Sequence, residues 1–200
     1  MDVRWLSKIG ISLIVGLLLS GCGNDAEEST SANTAVEPLF MLSPDGVGPL
    51  NARTPFNFVR IGDAFQDFNV AEETHYREGG QYPVITVKQQ TNLLLSINPD
   101  YQNQGIFSII VHDNLVGNKL GHAIGASFKD VYSGGNTERC APGSEEWSGK
   151  VVCFAPDTQN ILYIFAGNWE GPDDQIPPLK VMADWELDSM VWKAMPRKKG

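Results

Sequence analysis

From residue 83 onward, the chain alternates short apolar runs with polar turns. PVITVKQ (83–89), NLLLSIN (92–98) and IFSIIVHD (106–113) form one series; KVVCF (150–154), NILYIFAG (160–167) and WELDSMVWK (185–193) form a second. Runs of this length, rich in β-branched and aromatic residues, predict strands. Asn98-Pro99-Asp100 and Gly167-Asn168 supply turn chemistry between them. In 106–111, Ile106 and Ile110 alternate with Phe107, Ile109 and Val111, which predicts a sheet covered on both faces. In the last run, Trp185, Leu187 and Val191 are placed on one face.

A short helix is predicted ahead of each series. TPFNFVRIGDAFQDF (54–68) opens with Thr54 as N-cap and Pro55 at the first helical position. ASFKDVY (126–132) offers Ser127 as N-cap with Asp130 three residues on, the spacing of a capping box. IGDAFQDF (61–68) and IGASFKDV (124–131) share four of eight residues, and Phe56–Val59 also aligns with Phe128–Val131 in another register. The expected fold is α+β: an antiparallel sheet with short helices, built as a duplicated helix-plus-three-strands unit.

The first residues read differently. MDVRWLSK carries Arg4 and Lys8 against Asp2, the apolar run Ile9 to Leu19 follows, and Ser20-Gly21 are small. That order is a secretory signal. Eleven residues reach only ~17 Å as a helix, about half of a hydrocarbon core. Leu19-Ser20-Gly21-Cys22 resembles the lipobox of bacterial lipoproteins. The resemblance implies diacylglycerol on the Cys22 sulfur, cleavage before Cys22 and acylation of the new amine. Gly23, where lipoproteins kept in the inner membrane often carry Asp, implies outer-membrane sorting with the domain facing the periplasm. The domain organisation is then 1–21 signal peptide, 22–37 lipidated tether, 38–195 one periplasmic α+β domain and 196–200 basic tail. The tether, GNDAEESTSANTAVE, has no apolar period and reads as disordered.

Charge and cysteine content sharpen this picture. The net charge is −9, and because residues 1–21 carry two basic and one acidic residue, cleavage takes it to −10. Such a surface argues against nucleic acid as a partner. With Cys22 taken by lipid, Cys140 and Cys153 remain as a pair in an oxidising compartment, and a disulfide is expected. A redox pair or metal site is the weaker reading, because the two lack CxxC spacing and neighbouring histidines.

The body, from about Ser43 to Trp192, resembles the RpoE (sigma-E)-regulated lipoprotein family of Gram-negative bacteria, a family of unknown function. The resemblance rests on DGVGPLNARTPF (45–56), IGASFKDVY (124–132), the paired Cys140 and Cys153, GNWEGP (167–172), and Trp185 and Trp192 beyond it. It departs in the acidic tether and in segments near 72–81 and 173–184. It implies an envelope-stress setting and supplies no catalytic residue.

No GxSxG, HExxH or phosphate-loop motif occurs, so no catalytic residue, metal ligand or cofactor is assigned. His112 beside Asp113 is a weak general-base candidate; Glu72, Glu73 and His75 fall in AEETHYREGG, read as a solvated loop. In GNWEGPDD, Trp169, Glu170, Asp173 and Asp174 form a candidate ligand or partner surface, since tryptophan stacks on sugar rings and carboxylates accept from hydroxyls. Packing is the expected role of Trp185 and Trp192. The function expected is a non-enzymatic, membrane-anchored binding or assembly protein with an envelope protein as partner; an enzyme acting on peptidoglycan or lipid and a purely structural lipoprotein are the alternatives.

Overall fold

The computed structural model describes residues 37–195, apart from Glu78, Asn136 and Glu138. The signal segment, Cys22, most of the tether and the basic tail lie outside the described residues.

Twelve strands and three short α-helices make up the described chain. β1 (Phe40–Ser43), β2 (Gly46–Val47) and β3 (Leu50–Asn51) precede α1 (Phe58–Ala64). β4 (Asn69–Arg77), β5 (Gly80–Gln89), β6 (Asn92–Pro99) and β7 (Ile106–Val111) follow as an antiparallel meander, then β8 (Val116–Asn118). α2 (Phe128–Val131) leads into β9 (Cys140–Pro142), β10 (Val151–Phe154) and β11 (Ile161–Ala166); α3 (Leu179–Met182) precedes β12 (Glu186–Lys193). The large sheet has the order β4-β5-β6-β7-β12-β11-β10-β9, and the small one β3-β2-β1-β8.

All six strands anticipated from the apolar runs form, within a few residues of the expected limits. The unit around them is larger than expected: each half is a helix followed by four strands, and the fourth strands, β7 and β12, pair antiparallel at the centre. Bridges Pro55↔Gly105 and Ser127↔Glu186 tie the approach to each helix to the start of its fourth strand. The bridges equate Phe56 with Phe128, the second of the two registers, whereas the helix N-caps Asn57 and Ser127 equate Phe58 with Phe128. The octet register fails because Ile61-Gly62 is helical whereas Ile124-Gly125 lies before α2, with Gly125 N–H donating to Leu187 O.

The first helix is shorter than its start signals suggest. Asn57 is the N-cap, its side chain accepting from Arg60 N at 3.0 Å, while Thr54 Oγ1 accepts from Asn51 N at 3.0 Å in the preceding turn. Asn serves a cap as well as Thr, so the nearer residue to the apolar face wins. At α2 the expected cap forms: Ser127 Oγ accepts from Asp130 N at 3.4 Å and donates to Asp130 Oδ2 at 2.5 Å.

Cross-strand registers separate the two faces of the large sheet. One carries Ile85, Val87, Leu95, Ile97, Ile109, Val111, Ile161, Tyr163, Phe165, Leu187, Met190 and Trp192, all at most 1% exposed. The small sheet and the helices pack here: Trp192 Nε1 donates to Pro44 O at 3.0 Å, Asn118 Nδ2 to Tyr163 Oη at 2.6 Å, and the rings of Phe128 and Phe165 meet edge to face. On the opposite face Val84, Ile164 and Val191 are also buried, at 1%, 0% and 2% exposure. On that same face Ile110, Val152 and Leu162 are only half-buried and Phe154 is exposed, so the second face is shielded in part and the expected cover on both faces is incomplete. Two local irregularities change the expected alternation. A register shift opposite Ile164/Phe165 leaves Asp188 extra, so Leu187 shares its face with Met190 and Trp192 rather than with Val191. A shift opposite Asn98/Pro99 displaces Phe107, which lies 48% exposed under Lys193 Nζ at 4.9 Å.

Candidate functional site

The tryptophan segment resolves mainly as packing. Trp185 and Trp192 are 4% and 1% exposed. Trp169 is half-buried against the same core, with Nε1 donating to Pro172 O at 3.3 Å. Gly171 is needed beside it, because a Cβ there would come 2.0 Å from Trp169 Cζ2. Glu170, Asp173 and Asp174 are exposed, and Asp173 Oδ2 accepts from Ser148 Oγ at 2.9 Å. Trp169 and its acidic neighbours thus share one surface loop, while Trp185 and Trp192 are withdrawn from it.

The expected pairing of Cys140 with Cys153 is present. The two face each other in register on β9 and β10, with Cα atoms 4.0 Å apart. The bond ties the short terminal strand β9 to the sheet, and Cys153 is fully buried.

The segment read as a solvated loop is instead a strand. Residues 69–77 pair one for one with 80–88. Glu73 accepts from Lys88 Nζ at 3.0 Å and from Thr86 Oγ1 at 3.1 Å, which holds its carboxyl below the usual range despite the opposing cost of desolvation. His75 Nε2 is 3.6 Å from the second Glu73 oxygen. Glu72 is exposed.

His112 does not use Asp113, whose Oδ1 accepts from Leu115 N at 2.8 Å. Its Nε2 instead meets Ser96 Oγ at 2.9 Å across β6 and β7. Burial lowers the His112 pKa; the Asp188 charge works against this and the Lys150 charge with it. Lys150 and Asp188 are paired at 2.8 Å.

Sequence reasoning missed an apolar-floored depression on the described surface. An open trough of about 470 Å³ is lined by Arg139, Cys140, Ala141, Val152, Phe154 and Leu162 at the β9–β11 end of the large sheet. Its apolar floor exists because Val152, Phe154 and Leu162 alternate with the core residues of β10 and β11. Arg139 forms the rim, its guanidinium carbon 4.8 Å from the Phe154 ring centroid and its Nη2 donating to Thr158 O. A second, more polar depression shares Arg139 and Phe154 and adds Asp157, Thr158 and Gln159. An apolar floor beside a stacked cation suits an apolar group that carries an anionic end. Arg139 stands outside any periodic pattern, so only the pairing of β9 with β10 could reveal it.

Fold and surface together define an α+β protein of two antiparallel-rich sheets, with an open, apolar-floored trough at the β9–β11 end of the larger one. The chain belongs to the family described as a protein of unknown function (DUF1131), whose model matches residues 36–194. It is 30% identical over 184 residues to the uncharacterized protein YfeY of Escherichia coli K12, spanning 88% of this chain and 93% of that one. The crystal structure of YfeY from Escherichia coli superposes with a TM-score of 0.66 at 28% identity, covering 76% of this chain and 99% of the other.

Proposed function

We propose that this protein is an outer-membrane lipoprotein, held by lipid on Cys22, whose periplasmic domain works by binding an envelope partner and is produced under envelope stress. The observation that carries the anchoring is Leu19-Ser20-Gly21-Cys22 at the end of a charged and then apolar leader. Several acyl chains hold a protein stably where one holds it marginally, and the lipobox chemistry supplies more than one. The Cys140–Cys153 bond suits an oxidising compartment. The binding half of the reading is supported by the Arg139–Phe154 trough, with Trp169, Glu170, Asp173 and Asp174 as a second accessible surface.

Cys22→Ser tests the anchor, because serine offers no thiolate for lipid transfer. Radiolabelled palmitate should enter the parent chain and not the variant, and the variant should leave the outer-membrane fraction. Unchanged fractionation would defeat the lipoprotein reading. For the binding half, in-cell cross-linking should capture an envelope protein with the parent and lose it with Arg139→Glu; equal capture by both would remove the trough from the proposal.

A further inference from the structure

The large sheet finishes its two edges in different ways. At one edge β9 has three residues, ends at Pro142, which has no N–H, and is stapled by Cys140–Cys153. The Cys140 N–H is already spent on Thr137 O. Such an edge cannot accept another strand along its length.

The other edge is open. β4 has nine residues, contains no proline, and matches β5 without a bulge. Arg77 and Gly80 flank a two-residue connection, so they form the hydrogen-bonded pair that closes the hairpin. Alternation from there turns the N–H and C=O groups of Val70, Glu72, Thr74 and Tyr76 away from β5, toward the free edge. Glu72, Thr74 and Tyr76 are exposed, Tyr76 at 70%. Among the described residues, β4 has β5 as its only strand neighbour. A long, regular, unpaired edge is a template for a further strand.

We propose that β4 pairs antiparallel with β4 of a second copy, about a two-fold axis at Thr74, to join two eight-stranded sheets. The edge groups allow only registers in which Val70, Glu72, Thr74 and Tyr76 oppose one another. Centring at Thr74 sets Thr74 opposite Thr74, Glu72 opposite Tyr76, and Glu73 opposite His75 of the other copy. A threonine pair is a favourable cross-strand combination, and this register sets no like charges opposite one another. Moving the axis to Glu73 places two carboxylates face to face, which is unfavourable. Moving it to His75 shortens the ladder to residues 73–77. An isologous contact of this kind closes on itself and leaves β9 as the edge at both ends of the joined sheet.

Single cysteines in the intact chain, oxidised in cells and run on non-reducing gels against the parent, test the register. Opposed Cα atoms in a hydrogen-bonded pair lie ~5.5 Å apart, inside disulfide range. Thr74→Cys should give a new band at twice the monomer mass. Glu72→Cys and Tyr76→Cys alone should not, since each is about four residues along the strand from its own copy; the E72C/Y76C double variant should. No dimer with Thr74→Cys, equal cross-linking at all three single sites, or a Thr74→Cys adduct of a different mass would each overturn the pairing with a second copy.

Discussion

Gly167 lies flat against the indole of Trp185: a Cβ at this position would stand 2.2 Å from Trp185 Cδ1. The glycine at the end of β11 is there because a buried tryptophan occupies the space of its side chain. This decides between the two roles open to the C-terminal tryptophans. Trp185→Ala should cost about 3–5 kcal/mol through lost burial and a cavity. Trp169→Ala should cost less than half as much, because its ring is only half-buried. Gly167→Ala should destabilise markedly as well, since the ring cannot yield inside a packed core. Chemical denaturation of the three variants checks this; equal, small losses would mean that Trp185 does not hold the core.

The disulfide makes a separate claim. Cys140 and Cys153 enclose a short loop and fasten a strand that is otherwise held along one side only. Cys140→Ala should lower stability by about 3 kcal/mol on the chain-entropy model, with one new free thiol on Cys153. Reduction of the parent should reproduce the loss. Two free thiols at these positions in the native, unreduced protein would refute the pairing.

The sequence exposed some of this architecture and concealed the rest for identifiable reasons. The strands β5, β6, β7, β10, β11 and β12 were legible because Val, Ile and aromatic residues crowd runs too short for helices. β4 was hidden by Glu72, Glu73 and His75: its hairpin with β5 runs beyond the core, so polar residues occupy both faces. The small sheet was hidden by brevity, since β2 and β3 have two residues each and sit in the glycine- and proline-rich DGVGPLN. Thr54-Pro55 imitated a helix start that Asn57 provides. Of the site residues, the cysteine pair could be read from the cysteine count and the oxidising compartment that the leader leads one to expect. The trough could not, because Arg139 meets Phe154 only once β9 lies beside β10.

Asn118 joins the two sheets. From β8 it donates to Tyr163 Oη at 2.6 Å, and both side chains are buried. The phenol oxygen, having accepted this bond, has its own proton for His122 Nδ1 at 3.0 Å. Burial pushes the Tyr163 pKa up to about 12, so the phenol stays neutral across the working range. Asn118→Leu should cost about 1–3 kcal/mol, because the buried phenol oxygen loses a donor and the Leu120 N–H loses the Asn118 Oδ1 acceptor. The double variant Asn118→Leu/Tyr163→Phe should recover part of that loss, and urea titrations of both variants and the parent measure it. No recovery would mean that the bond contributes nothing beyond the packing around it.

The histidines should give the fold a pH dependence of definite sign. Burial lowers the pKa of both His112 and His122 below the ordinary value of 6.5. In the window between those lowered values and 6.5, the unfolded chain binds more protons than the folded one. Stability therefore rises with pH across that window. The contribution is complete above the unfolded value and is lost as pH falls through the folded ones. For His112 the facing groups are Ser96 Oγ, which bonds the ring, and the Asp188–Lys150 pair, whose two charges act in opposite senses. Glu73 follows the carboxylate pattern: its pKa is lowered, so its contribution is lost only as pH falls below 4.5. The two effects separate if measurements stay above about pH 5. Urea unfolding of the parent should show stability falling from about pH 7 to pH 5. His112→Gln and His122→Gln should each flatten the slope, and the double variant should remove most of it. A slope unchanged in the double variant would assign the dependence to other groups.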